Sequence, residues 1–121
     1  MKNKIKTWAD VAIDYPRIWD DINELSKTIH HTAINEKIAD KMCATIKIET
    51  LIELGYGRII NNKEWEDDSI MKYNIENIGN NLTFVDDTDH YSFVSFRTDK
   101  FREEFMSHEE NVKLVKQYFM I

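Results

Sequence analysis

The chain has one cysteine, one proline and three glycines in 121 residues. Cys43 alone closes no internal disulfide, so packing has to hold the fold, and a chain without such a staple suits a reducing compartment. This length buries a real core without a disulfide or a metal. So little proline and glycine leaves no composition for a flexible linker, and a single domain over 1–121 is expected. No apolar run approaches the length that crosses a bilayer. The positively charged start, Met1 to Lys6, leads into Trp8, Ala9 and Asp10 instead of an apolar stretch, which is not the pattern of a secretory signal. The expected compartment is the cytoplasm. Positive charge is in deficit as well: 16 Lys and Arg against 22 Asp and Glu leave a formal net charge of −6. Bulk affinity for nucleic acid or an anionic membrane, which needs clustered positive charge, is not expected. The acidic surface keeps a small domain in solution; gathered on one face, it would mimic nucleic acid.

The residues that are present read as globular, with 42% hydrophobic and 31% charged. Thr7 suits the N-cap of a short helix in which Trp8, Val11, Ala12 and Tyr15 share a face. Pro16 ends that helix and opens the next. There Ile18, Ile22, Leu25 and Ile29 form a stripe with Trp19 beside it. His30 to Ile34 reads as a connection. A long helix is expected from the Asn35 cap to Leu54, with Ile38, Met42, Thr45, Ile46 and Ile52 on one side and Ile48 and Leu51 on another. Gly55 is its stop signal. A strand through Tyr73 and Ile75, the turn Gly79-Asn80-Asn81, a strand over Leu82 to Val85, a loop over Asp86 to Asp89 and an aromatic strand from Tyr91 to Phe96 follow. Thr98 caps a helix bearing Phe101 and Phe105. Ser107 and Glu110 match a capping box before the last helix. The expected fold is α+β: N-terminal helices over 1–55, a loop over 56–70, a three-stranded antiparallel meander over 71–97 and two C-terminal helices over 98–121.

Glu64-Trp65-Glu66-Asp67, Lys72-Tyr73-Asn74-Ile75, Ser95-Phe96-Arg97-Thr98 with Arg102 and Phe105, and the ending Gln117-Tyr118-Phe119-Met120-Ile121 occur in an order that resembles small uncharacterised proteins encoded by gut Bacteroidales and by their phages and mobile elements. Their pattern places Gly-Trp ahead of Pro-Asp-Trp, then Lys-Tyr-x-Ile, a phenylalanine-containing strand and a charged helix. In this chain the Gly-Trp is missing and Glu64 stands where aspartate is frequent. The resemblance covers about Ile38 to Ile121. It implies a small cytosolic protein of mobile-element context and carries no functional residue across.

Motifs for chemistry are incomplete. Gly55-Tyr56-Gly57 begins like a dinucleotide fingerprint, but Ile60 occupies the third glycine position and a helix precedes it. Cys43 lies inside a long helix, which favours a buried small residue over a nucleophile. His30, His31, His90 and His108 are never three or four apart, so no helical zinc pair exists. Asp86, Asp87, Asp89 and His90 supply oxygens and a nitrogen in one loop, the candidate site for a metal-dependent hydrolase; the plainer reading is a solvated loop, as for Glu64, Glu66, Asp67 and Asp68. Tyr91-Ser92-Phe93-Val94-Ser95-Phe96 echoes the base-stacking strand of an RNA-recognition module, though Asp89-His90 stands where a basic residue and glycine belong.

With no reaction centre identified, the function expected from the sequence is a non-enzymatic interaction protein that uses no cofactor. Its partner is another protein or its own copy, as in a homodimer, and not a membrane. The alternatives are the metal-dependent hydrolase on Asp86, Asp87, Asp89 and His90, and a nucleic-acid mimic or RNA-binding module using the strand over 91–96, although nucleic acid is not the expected partner. Ile48, Leu51, Tyr56, Ile59, Ile60 and Trp65 are the candidate interaction residues, because apolar side chains exceed one face of the long helix. The competing reading is that they fill the domain's own core.

Overall fold

The computed structural model describes residues 5–56, 62–89 and 94–121. The chain enters as a buried strap: Ile5 is enclosed, and the carboxylate of Asp10 accepts hydrogen bonds from the Lys6 N–H (2.9 Å) and the Thr7 N–H (3.0 Å). These bonds set the start of α1 (Trp8–Asp14). Burial pushes the Asp10 carboxyl up, but the two backbone donors and the Thr7 hydroxyl outweigh it and hold the group below the usual carboxylate range. The stability this contributes is present above the ordinary carboxylate pKa and is lost as pH falls through the lowered folded value. Asp10→Asn is expected to cost about 1 kcal/mol at pH 7, a typical loss for a helix cap, and the deficit should shrink in denaturant titrations repeated at acid pH.

Pro16 occupies the first turn of α2 (Pro16–Thr32), where its missing N–H costs nothing. The helix runs through His30 and His31, which the sequence assigned to a connection. No glycine or proline interrupts it there, and the Ala33 N–H still reaches the Ile29 carbonyl at 2.9 Å. Asn35 caps α3 (Glu36–Gly55) through a 3.0 Å bond from the Ile38 N–H. Ala39, Cys43, Ala44, Ile48, Leu51 and Ile52 are buried around α3, because α1, α2 and the last helix all pack against it. Most of its wide apolar girth faces inward, while Met42 stays exposed. Gly55, expected only as a stop signal, has a second role: a Cβ there would collide with the Ile5 carbonyl.

After α4 (Asn62–Trp65) comes the hairpin of β1 (Lys72–Ile78) and β2 (Asn81–Asp87). Gly79 and Asn80 turn it with φ of 58° and 64°, the left-handed pair that a two-residue hairpin requires. The register aligns Ile78 with Asn81, Ile75 with Phe84 and Tyr73 with Asp86. The short β3 (Ser95–Phe96) pairs with β1, Tyr73 opposite Phe96 and Asn74 opposite Ser95. The order is therefore β2-β1-β3, antiparallel as expected but not a meander. Val94, Ser95 and Phe96 are all buried, and β1, buried at Asn74 and Ile75, offers them an enclosed partner that the half-exposed β2 does not. The central strand is β1, and the described part of the aromatic strand lies at the sheet's side. Ile78, out of phase in the sequence, is exposed.

Thr98 caps α5 (Asp99–Met106), accepting from the Phe101 N–H at 3.1 Å. The expected capping box ahead of α6 (Glu109–Tyr118) does not form. The Ser107 hydroxyl donates back to the Glu104 carbonyl at 2.6 Å, satisfying the end of α5, and His108 occupies the N-cap. Phe105 meets Tyr56 edge-on at 5.1 Å and Phe96 at 5.2 Å in a core that also holds Val11, Ile48, Leu51, Ile52, Ile75 and Val115. One polar knot sits at the edge of this core. The Lys6 carbonyl accepts from the Tyr56 hydroxyl (2.7 Å) and from Asn111 Nδ2 (2.8 Å), and the Lys6 ammonium pairs with Glu104.

Burial pushes the Tyr56 phenol up to about 12; the hydrogen bond with Asn111 opposes the rise and the charge of Asp10 adds to it. Its neutral form is thus favoured by folding. The associated stability is complete below the ordinary tyrosine pKa near 10 and is lost as pH rises through the folded value. An ultraviolet titration is expected to show one tyrosine ionising about two pH units above the ordinary value near 10, a step that Tyr56→Phe removes.

Candidate functional site

The sheet presents its outer edge at β2 and a cluster of carboxylates at the end of that strand. Opposed residues share a face, so Tyr73, Ile75, Phe84, Asp86 and Phe96 look towards α5, while Lys72, Asn74, Val85 and Ser95 look the other way. On the α5 side Arg102, only 5% exposed, lays its guanidinium over the Phe84 ring at 4.3 Å and the Tyr73 ring at 5.6 Å. One nitrogen pairs with Asp86 and donates to the Asn74 carbonyl at 3.2 Å. Cation–π stacking and a charge-assisted bond hold Phe84 in place although the residue stays half-exposed.

On the opposite side Lys72 is fully buried. Its ammonium donates to the Asp67 carbonyl (2.6 Å) and the Thr88 carbonyl (2.7 Å). A buried charge survives only when its donors are used, and these carbonyls come from segments some twenty residues apart. The lysine thereby draws the two acidic clusters of the sequence to one end of the hairpin. Asn74 Nδ2 supports the same junction through the Asp89 carbonyl at 3.4 Å. Asn74 Oδ1 and Ser95 Oγ, opposite one another, are buried and find no hydrogen-bond partner among the described residues. The Ser69 hydroxyl and N–H, at 2.6 and 2.9 Å, hold the Asp67 carboxyl below its usual range. Arg97 ties the adjacent α4 to the sheet by a 2.6 Å bond to Glu64. Glu66, Asp68 and Asp89 remain exposed there, as does Lys63 in α4, and Lys72, Arg97 and Arg102 are already engaged.

The candidate residues from the sequence fall in several places. Ile48, Leu51 and Tyr56 are at most 1% exposed and belong to the domain's own core; they form no interaction surface, because α3 is covered on that side by neighbouring elements. Trp65 is half-buried in α4. Ile59, Ile60, His90 and Tyr91 to Phe93 lie outside the described residues. Asp86 and Asp87 are successive strand residues that point to opposite faces; Asp86 pairs with Arg102, and Asp87 Oδ1 accepts from the Asp89 N–H at 3.2 Å. Among the described residues no group of three or more histidine, cysteine, aspartate or glutamate side chains converges to hold a metal. Within 94–96 the one aromatic ring, Phe96, is buried against Phe105. Cys43 is buried beside Ile29 and Ala39, as its place in a helix suggested. His30 reaches Asp40 at 3.6 Å from the last turn of α2.

Sequence reasoning missed Lys72, Phe84 and Arg102 as the organising residues. The available signal was phase: Lys72 and Asn74 alternate with Tyr73 and Ile75, so the strand has a polar face, but nothing local says that this face is closed. No protein-family model, curated protein or solved structure matches the chain. No helix among the described residues is long and apolar enough to cross a membrane.

Proposed function

We propose that the chain is a small non-enzymatic interaction protein that binds another protein along the β2 side of its sheet. The single observation that supports this reading most is Phe84: an aromatic ring at the middle of an edge strand, half-exposed, yet held by the guanidinium of Arg102 at 4.3 Å. Interface anchors are typically aromatic side chains held in one orientation before the partner arrives, because little side-chain freedom is then lost on binding. The cytoplasmic, mobile-element context implied by the resemblance belongs to the same proposal, since a short protein acting on a host component needs a binding face and no reaction centre.

The test is affinity capture from a nuclease-treated lysate of a gut Bacteroidales host with the full chain and with Phe84→Ala, beside light scattering of both pure proteins. The reading predicts one host protein retained by the natural chain and about tenfold less by the variant, a loss near 1.4 kcal/mol, with both proteins folded and monomeric. Equal retention by the two chains, or no retention at all, removes it.

A further inference from the structure

We propose that the partner supplies an extended segment carrying lysine or arginine, which adds as a strand outside β2; this rests on the interaction reading above. Three independent features of this edge point to that occupant.

The first is the backbone. Among the described residues β2 pairs only with β1, so Asn81 to Asp86 turn a row of main-chain donors and acceptors outward. Natural edge strands are usually guarded against pairing by charged side chains, proline, a bulge or extreme shortness. This one is seven residues long, Asn-Leu-Thr-Phe-Val-Asp-Asp, with no proline and with charge confined to Asp86 and Asp87 at its end, so Asn81 to Val85 carry no such guard. Its register with β1 is continuous from Lys72↔Asp87 to Ile78↔Asn81, so no bulge twists it away. An extended chain satisfies such an edge through main-chain bonds, and alternate side chains then read the faces.

The second is the anchor. A strand added outside β2 places one side chain beside Phe84 on the α5 face. The ring is stacked against Arg102, and Arg102 is fixed by Asp86 and the Asn74 carbonyl. The edge is therefore rigid at the point where a partner would first make contact.

The third is charge, which decides between occupants. Lys72 brings the turn with Glu66, Asp67 and Asp68 against the strand end with Asp86, Asp87 and Asp89. Glu66, Asp68 and Asp89 are exposed there and outnumber the exposed Lys63 of α4, while Lys72, Arg97 and Arg102 are committed to carbonyls, Glu64 and Asp86. A cationic segment gains from this potential, whereas a second copy of this chain brings its own net charge of −6 to the same place. Nucleic acid is disfavoured for the same reason.

The experiment uses the full chain and short fluorescent peptides of about ten residues that alternate threonine and valine. One peptide ends in lysines, one carries glutamates in their place, and a third repeats the lysine peptide with alternate backbone nitrogens methylated. Fluorescence anisotropy at low salt is expected to show the lysine peptide binding about tenfold more tightly than the glutamate peptide, and about tenfold more tightly than its methylated form. Amide chemical shifts should move over Asn81 to Asp86, and the exposed double variant Asp68→Lys with Asp89→Lys should reverse the charge preference. Equal binding of the lysine and glutamate peptides, indifference to methylation, concentration-dependent self-association through the same amides, or a labelled single-stranded RNA binding there instead would each overturn the inference. If Phe84-dependent capture from lysate persists while the peptides show no charge preference, the partner chemistry is wrong and the interaction reading stands. If that capture is absent, the reading itself falls.

Discussion

Gly55→Ala is expected to lower unfolding free energy by about 3 kcal/mol, at the upper end of what an inserted methyl costs in a packed interior. The reason is the strap that crosses the end of α3. The nearest obstacle to a Cβ at Gly55 is the Ile5 backbone carbonyl, which, unlike the tip of a flexible side chain, has no easy way to yield. Ile5 is enclosed, and the neighbouring Lys6 carbonyl is committed to Tyr56 and Asn111. The methyl must therefore push the strap out and break those two bonds, or bend the end of α3. Urea denaturation measures the loss. Hydrogen exchange should show faster exchange in the α1 start and at Tyr56 before any change in β1. A loss under about 0.5 kcal/mol, the range of an ordinary surface change, would mean that the strap does not pack against Gly55.

Lys72→Met is expected to cost a similar amount, about 3 kcal/mol. Methionine replaces the aliphatic stem but removes the ammonium's bonds to both carbonyls; Asp67 keeps the Ile70 N–H at 3.2 Å, whereas Thr88 loses the 2.7 Å bond from the lysine. Charge-assisted bonds of this kind contribute roughly 1.5–3 kcal/mol, and stranded acceptors add to the loss where water does not reach them. The effect should be local. The turn at Asp67 to Ser69 and the end of β2 should lose exchange protection together, although the chain separates them, while α3 and α6 remain protected. Lys72→Arg should restore little, because a planar guanidinium does not fit a site built for a compact ammonium. A variant with unchanged stability would show that the two acidic segments are not joined through this side chain.

These residues mark where the sequence stopped being legible. Helix starts were readable because caps are local: Asn35 and Thr98 bond to N–H groups three residues ahead. The hairpin turn was readable because Gly79 and Asn80 tolerate positive φ. The Ser107 box failed because α5 and α6 lie so close that one hydroxyl had two ends to serve and took the first. Strand order was not legible either, since β3 chooses β1 over β2 by burial, a tertiary property. The apolar excess on α3 was seen correctly and assigned to the wrong side of the surface: Ile48, Leu51 and Tyr56 face helices and strands that the local pattern does not announce. Nothing in the sequence sets Lys72 and Arg102 apart, because a lone charged residue carries no mark of the carbonyls or rings that will enclose it. The exposed Phe84 is the converse, an aromatic strand residue left half-open at the sheet's edge, which the strand pattern alone does not show.

The most direct test of binding along β2 is amide hydrogen exchange of the natural chain, free and saturated with the captured partner. Outward-facing amides between Leu82 and Asp86 should exchange quickly in the free protein and become protected in the complex, with α2 unchanged. Protection that appears elsewhere and leaves β2 as it was would contradict the account.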